Sequence, residues 1–368
     1  MRELEKIIKK YIINYPVVEL MDVVKLIYQN EFGPGHAVEY GEAAYDRILS
    51  EAIDAKAIAR PSILTMPIGN DLARVHNVLF LELFKDNLLA AKVLAAMFSV
   101  TAGLLKGDFH SFTDKIDMLL GLIKEDELSG NNEYMFKDWL YNYEESLEEI
   151  DMYIKNGYPA PRHSEDYRHM YHPCYRVVYQ EFMEYVELFK VIEQPLPFDR
   201  KVIIGLDGRA GAGKTTLAKI LTHVYGGNFI SMDDFYLPLS MRTMERMKEP
   251  GGHIHFERFI EQVNKPIKAR KTRITYEKYN CQTGETTPVT INLGDKVTVI
   301  EGSYSTHPWV RDLYTHTAFL DITDSSQKKR LLKRNGKEGY EVMKNKWIPL
   351  ENKYHKAFGV DKYANIVI

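Results

Sequence analysis

Between Gly208 and Thr215 the chain reads Gly-Arg-Ala-Gly-Ala-Gly-Lys-Thr. This fits the pattern Gly-x-x-x-x-Gly-Lys-Ser/Thr without gaps. Glycines at these places let the backbone bend so that successive N–H groups face inward, which suits a cluster of phosphate oxygens. The run Lys201–Asp207 before the loop is β-rich, and Thr216–Thr222 after it has helical spacing. A helix beginning there adds positive partial charge at its N-terminus. The expected cradle for a nucleoside triphosphate is Gly208, Ala210, Gly211, Ala212, Gly213, Lys214, Thr215 and Thr216. Lys214 is expected to bridge the β- and γ-phosphates, and the Thr215 hydroxyl to ligate Mg²⁺. A glycine-rich turn that merely joins strand to helix is the bland alternative, and the complete pattern in this context weighs against it.

Two further positions carry acids where such chemistry needs them. Phe229-Ile-Ser231 reads as a second strand and runs into Asp233 and Asp234. A carboxylate at that edge can take a proton from an attacking hydroxyl or hold the metal's water shell. Two solvated loop acids are the competing explanation. A third strand ends Val299-Ile300-Glu301, and Glu301 is placed to help hold Mg²⁺ or to polarise an acceptor.

These positions sit in an expected framework. At 368 residues the chain is long enough for about two domains. Hydrophobic residues are 45% and charged residues 27%, which excludes a largely disordered chain. A net charge of −3 gives no support for a nucleic-acid coat. Two cysteines, Cys174 and Cys281, make no disulfide framework and suit a reducing, cytoplasmic setting. The most apolar stretch, residues 78 to 100, holds Glu82, Lys85, Asp86 and Lys92, which argues against a membrane span. Apolar residues recur at helical steps through the first half: Leu4, Ile7, Ile8, Tyr11 and Ile12; then Val17, Leu20, Met21, Val24 and Ile27; then Ile116, Leu119, Leu120 and Ile123. The same spacing places Val178, Phe182, Tyr185 and Phe189 on one helix, with Pro173 in its first turn. Prolines 195 and 197 read as a linker. The expected division is a helical domain over residues 1–195 and an α/β domain with a doubly wound parallel sheet over residues 196–368.

The segments GLDGRAGAGKTT, ISMDDFY and VTVIEG together resemble the uridine kinase and phosphoribulokinase family of P-loop kinases, over about residues 198 to 368. The resemblance implies an ATP- and Mg²⁺-dependent kinase acting on a small-molecule hydroxyl. It implies Asp233 as catalytic base, with Lys214 and Glu301 as its catalytic partners. It puts Asp234, Tyr236 and Tyr276 near the acceptor, and Arg330, Lys333 and Arg334 on a mobile cationic lid. His253 and His255 are further candidate acceptor contacts, and two surface histidines without that role are an equal alternative. The stretch Pro250–Glu257 and the positions Cys281 and Thr283 depart from the family's nucleoside-reading pattern, which weighs against uridine itself. The spacing of Trp347, Glu351 and Tyr354 gives one helix face, read first as packing and second as an acceptor wall.

The first half offers a dense cluster from His163 to Arg176, rich in histidine, tyrosine and arginine. It matches no closed zinc pattern. An anion pocket using Arg168 and Arg176 is one reading and a docking segment another. The loop Glu31–His36 has glycines but no preceding strand, so a helix–helix turn is expected there. Two classes of function follow: a metabolite kinase, or a nucleotide-sensing module with the helical half as output. A homodimer is compatible with either, and neither calls for nucleic acid or a membrane.

Overall fold

A computed structural model of the chain describes residues 1–34, 42–58, 63–129, 143–194, 196, 201–281 and 283–368. They form two compact units, Met1–Met183 and Glu184–Ile368.

The amino-terminal unit is mainly helical. The helix Arg2–Asn14 buries Leu4, Ile8, Tyr11 and Ile12, one stripe at three- and four-residue steps. The helix Leu20–Phe32 starts on a capping box in which Glu19 N donates to Asp22 Oδ2 at 3.1 Å. Its buried Val23, Leu26 and Ile27 join Phe112, Ile116 and Leu119 of the helix Phe109–Ser129 in one core. The unit also contains a three-stranded antiparallel sheet that the periodicities did not suggest: β1 (Thr65–Gly69), β2 (Leu72–His76) and β3 (Tyr175–Tyr179), in that spatial order. Asn70 and Asp71, both at positive φ, make the tight connection between β1 and β2.

β3 corrects the expected helix through Val178 and Phe182. Val178 lies in β3, a 3₁₀ turn covers Gln180–Tyr185, and only Val186–Ile192 is α-helical. Pro173 therefore precedes a strand. The helix Val186–Ile192 belongs to the second unit: Phe189 stacks on Tyr225 at 6.1 Å, and the Tyr225 hydroxyl donates to Glu193 at 2.9 Å. The boundary thus falls ahead of the proline segment, and Pro195 and Pro197 lie outside the described residues. So do Gly35 and His36 of the first glycine loop.

The helix Asn87–Leu104 is long and apolar enough to cross a membrane by length and composition alone. Glu82, Lys85 and Asp86 flank it, and Asp86 caps its start by accepting from Leu88 N and Leu89 N. Within this fold it is a core helix, with Ala90, Ala91, Val93, Leu94 and Met97 buried.

The second unit is built on β4 (Val202–Gly208), β5 (Phe229–Ser231), β8 (Val297–Glu301), β9 (His316–Leu320) and β10 (Ile366–Val367). They form one parallel sheet in the order β10-β9-β4-β8-β5. A separate antiparallel hairpin pairs β6 (Arg273–Tyr279) with β7 (Thr286–Asn292). Buried residues fill β4, β8 and β9 almost without alternation, as a sheet covered on both faces requires. The chain passes from β4 out to β5, returns to β8, then crosses to β9 on the far side of β4. Ligands in such sheets bind at the carboxyl ends of the strands beside that reversal. The register Leu206↔Glu301↔Ser231 brings the ends of β4, β8 and β5 to one edge.

Candidate nucleotide and acceptor site

The loop after β4 needs its glycines. Gly208 has φ +137°, and a Cβ built on it would lie 2.1 Å from the Leu320 carbonyl oxygen. Gly211 and Gly213 also take positive φ, and Gly213 caps the helix Lys214–Tyr225. Gly208→Ala is therefore expected to displace the loop from β9 and weaken ATP binding at least about tenfold, readable by titration calorimetry. Lys214 is buried and folds back across the loop, donating to Gly208 O at 2.8 Å and Arg209 O at 3.0 Å.

Side chains from distant segments hold this loop. Glu351 Oε2 accepts from Ala210 N at 3.0 Å, and Glu351 Oε1 from Ser303 Oγ at 2.9 Å. Gln327 Nε2 donates to Ala210 O at 2.9 Å, and Arg330 Nη1 to Gly211 O at 3.1 Å. Arg209 ties the loop to Asp324 and to Ile322 O. Beneath the loop, Asp207 is fully buried and accepts from Gly208 N, Tyr304 N, Thr306 N, Thr306 Oγ1 and the Tyr354 hydroxyl. Sequence reading passed over Asp207, Ser303 and Gln327. Only the position of Asp207, directly before Gly208, offered a signal. On the face Trp347-Glu351-Tyr354, Glu351 and Tyr354 brace the loop, as packing would have them, and Trp347 packs against Tyr236 and His253.

Thr215, Glu301 and Asp233 come together at the sheet edge. Thr215 Oγ1 donates to Glu301 Oε2 at 3.2 Å, and Glu301 is buried. Burial raises the Glu301 pKa and Asp233 adds to it, while hydrogen bonds from Ser231 and Thr215 and the charge of Lys214 oppose. Asp233 opens to solvent at the mouth of this crowded edge. Protein packed around its carboxylate pushes its pKa up, Lys214 pulls it down, and Asp234 raises it again. A lysine thus faces two carboxylates that both resist ionisation, the pattern of a site tuned to move protons or hold a cation.

The remaining candidates separate into two groups. Tyr236, His253 and Trp347 form an aromatic wall, with Tyr236 stacked on His253 at 5.6 Å and Trp347 against both. His253 is buried, its pKa is lowered to about 4 chiefly by that burial, and its Nε2 has no hydrogen-bond partner. A neutral imidazole with an unused nitrogen is suited to a ligand hydroxyl. Asp234 and Tyr276 are instead partnered with each other at 2.8 Å, and Lys278 pairs with Asp234 at 2.7 Å. They tie the β6–β7 hairpin to the turn after β5. His255 caps the short helix after it and meets Glu257 at 3.2 Å. On the helix Asp324–Val342, Arg330 reaches the loop, while Lys333 and Arg334 are exposed. Arg334 is close enough to lower the Asp233 pKa, and Gly336 breaks the helix just beyond it. Among the described residues no three His, Cys, Asp or Glu side chains form a metal-binding group.

The sheet order and the loop define the second unit as a doubly wound α/β domain with a phosphate-binding loop, and its sequence resembles P-loop kinases of the uridine kinase and phosphoribulokinase type. No family model matches the chain. Over 138 residues the chain is 30% identical to a phosphoribulokinase of Synechocystis, which covers 34% of this chain and 39% of that protein. The chain therefore matches well under half the length of that curated relative. A solved structure of a possible uridine kinase from Bacillus stearothermophilus is 20% identical, covers 51% of this chain and 99% of its own, and has a TM-score of 0.40. A shikimate kinase from Bacteroides thetaiotaomicron is also 20% identical, covering 45% of this chain and 85% of its own with a TM-score of 0.23.

Proposed function

We propose that this chain is a Mg-ATP-dependent phosphotransferase that phosphorylates a hydroxyl group of a small metabolite. The observation that supports the reading is the phosphate loop with Lys214 folded across it and Thr215 Oγ1 on Glu301 Oε2 at the end of β8, beside the β5 strand that leads into Asp233. Lys214 leaves its loop carbonyls to bind the β- and γ-phosphates. The loop amides from Ala210 to Thr216 hold the remaining oxygens. Thr215 Oγ1 and Glu301 Oε2, 3.2 Å apart, are hard oxygen donors, and such a pair fits Mg²⁺, which keeps its waters and needs only one or two protein oxygens. Magnesium bound there supplies charge neutralisation at the phosphates.

Asp233 takes the proton of the acceptor hydroxyl as that oxygen attacks the γ-phosphorus, and the bond to the ADP oxygen breaks in line. Tyr236 and Trp347 pack against the acceptor, and His253 Nε2 hydrogen-bonds it. Arg330, Lys333 and Arg334 supply positive charge to the transferred group when their helix closes. Free Cys174 and Cys281 fit the cytoplasm as the compartment.

The test is ADP release with Mg-ATP against a panel of sugars, nucleosides, vitamins and amino-acid alcohols, with Lys214→Ala as blank. Release that depends on one acceptor class and vanishes in Lys214→Ala is expected. Release with no acceptor in the panel, at a rate equal to the blank, contradicts the proposal.

A further inference from the structure

The amino-terminal unit contains a cleft of about 630 Å³, large enough for a small metabolite. Among the described residues its lining carries Lys25, Arg47, Arg162 and Arg176 against one carboxylate, Glu51. That carboxylate is already shared: Arg176 Nη1 donates to it at 2.7 Å, Arg47 Nε at 3.1 Å and Asn77 Nδ2 at 3.0 Å. Among the described residues Lys25 Nζ donates only to a carbonyl, Pro161 O at 3.3 Å. Arg162 is exposed and pairs with no acid among the described residues. Phe98, Ile48 and Ala95 form an apolar part of the wall.

What lies behind the lining adds to the positive field. Arg74 is buried, donates to Gln29 Oε1 at 2.8 Å and to the Tyr11 hydroxyl at 3.1 Å, and sits 4.7 Å from the Tyr175 ring centre. Among the described residues no carboxylate pairs with it, and its Nη2 has no hydrogen-bond partner. Gln29 and Tyr175 both line the cleft. The nearby acid Asp22 is fully buried and closed off by donors: His163 Nδ1 at 2.6 Å, Ser164 N, Ser164 Oγ and Glu19 N. Burial depresses the His163 pKa to about 4, so the ring is neutral. With its Nδ1 proton on Asp22, its Nε2 accepts from the Tyr175 hydroxyl at 2.7 Å. Of the histidine cluster singled out in the sequence, His163 is thus committed to holding this wall. Burial, and next the charge of Arg74, lower the Lys25 pKa to about 8, against the opposing charge of Asp22.

We propose that this cleft is a second ligand site, which binds the phosphate monoester of a small organic metabolite between Lys25, Arg162 and Arg176. A phosphate monoester carries about −1.5 to −2 charge at pH 7, which meets the excess of cations better than a single carboxylate does. Its three oxygens match a guanidinium fork and an ammonium together. The apolar wall takes the organic body. The site stands independently of the kinase reading, since none of its residues belongs to the phosphate loop or its neighbours.

The experiment is titration calorimetry on the full chain bearing Lys214→Ala, which removes binding at the phosphate loop. The probes are glucose 6-phosphate, glycerol 3-phosphate, glucose, inorganic phosphate and succinate. One ester per chain is expected, bound more tightly than inorganic phosphate or succinate, with no binding of glucose. Arg162→Ala and Lys25→Met, each added to that background, are expected to weaken it at least about tenfold. Arg162 is exposed, so its variant keeps the fold, and circular dichroism checks both. Absence of binding by both esters at millimolar concentration overturns the proposal. So does affinity unchanged in a folded Arg162→Ala variant, or succinate or inorganic phosphate bound as tightly as the esters.

Discussion

Asp233→Asn is expected to lower acceptor phosphorylation about 10²- to 10⁴-fold while ATP affinity stays within about a factor of three. The side chain makes no hydrogen bond to the loop, and only its backbone N–H is engaged, with Ser231 Oγ at 3.4 Å. Asparagine fills the same space and cannot accept the proton. The pH profile should change with it. The Asp233 pKa is raised by packing, so the base is lost as pH falls through a value above the ordinary aspartate range, and the acid limb of kcat/KM is displaced upward. Asp233 raises the Glu301 pKa, and Asp234 raises that of Asp233, so the limb reports a coupled group of acids rather than one residue. The variant should lack this limb. A rate close to wild type in Asp233→Asn would remove the base from the account. ATP-driven conformational change without acceptor turnover in either protein would favour nucleotide sensing.

Asp207→Ala should have the largest effect on stability in the second unit. Its carboxylate accepts five hydrogen bonds and is fully buried. Removing it strands the Thr306 and Tyr354 hydroxyls and three backbone N–H groups. Each unsatisfied buried group costs about 1–3 kcal/mol, partly recovered by relaxation, which puts the loss at about 3–5 kcal/mol. For a unit of this size that is a fall in Tm of roughly 10 °C, measurable by scanning calorimetry. Because Asp207 fixes Gly208 N and Glu351 fixes Ala210 N, nucleotide affinity should fall with it. A Tm within about 1 °C of wild type would show that the donors find other partners.

The phosphate loop was legible because all its groups lie within eight consecutive residues of defined type. Asp233 and Glu301 were legible as strand ends, since parallel strands deliver their termini to one edge. Residues that act across long chain separations were not. Glu351 reaches Ala210, and Gln327 the same residue, only through the packing of the carboxy-terminal helices onto the loop. The pairing of Tyr276 with Asp234, which anchors the hairpin, was not legible, because it depends on where β6 docks. In the first unit, Val178 and Phe182 stand four apart and read as helix. The pairing of β3 with β2, some hundred residues earlier, decided otherwise, and local spacing carries no trace of such a partner. The Asn70-Asp71 turn was a hairpin signal the sequence did contain.

The most direct test of the phosphotransferase reading follows the γ-phosphate itself. The wild-type chain is incubated with γ-labelled ATP, Mg²⁺ and the acceptor that stimulates ADP release, and the label is located by chromatography. Label in a phosphate monoester of the acceptor, absent in Lys214→Ala and depleted in Asp233→Asn, is the predicted result. Label that remains in ATP, or appears only in inorganic phosphate with every acceptor, would contradict it.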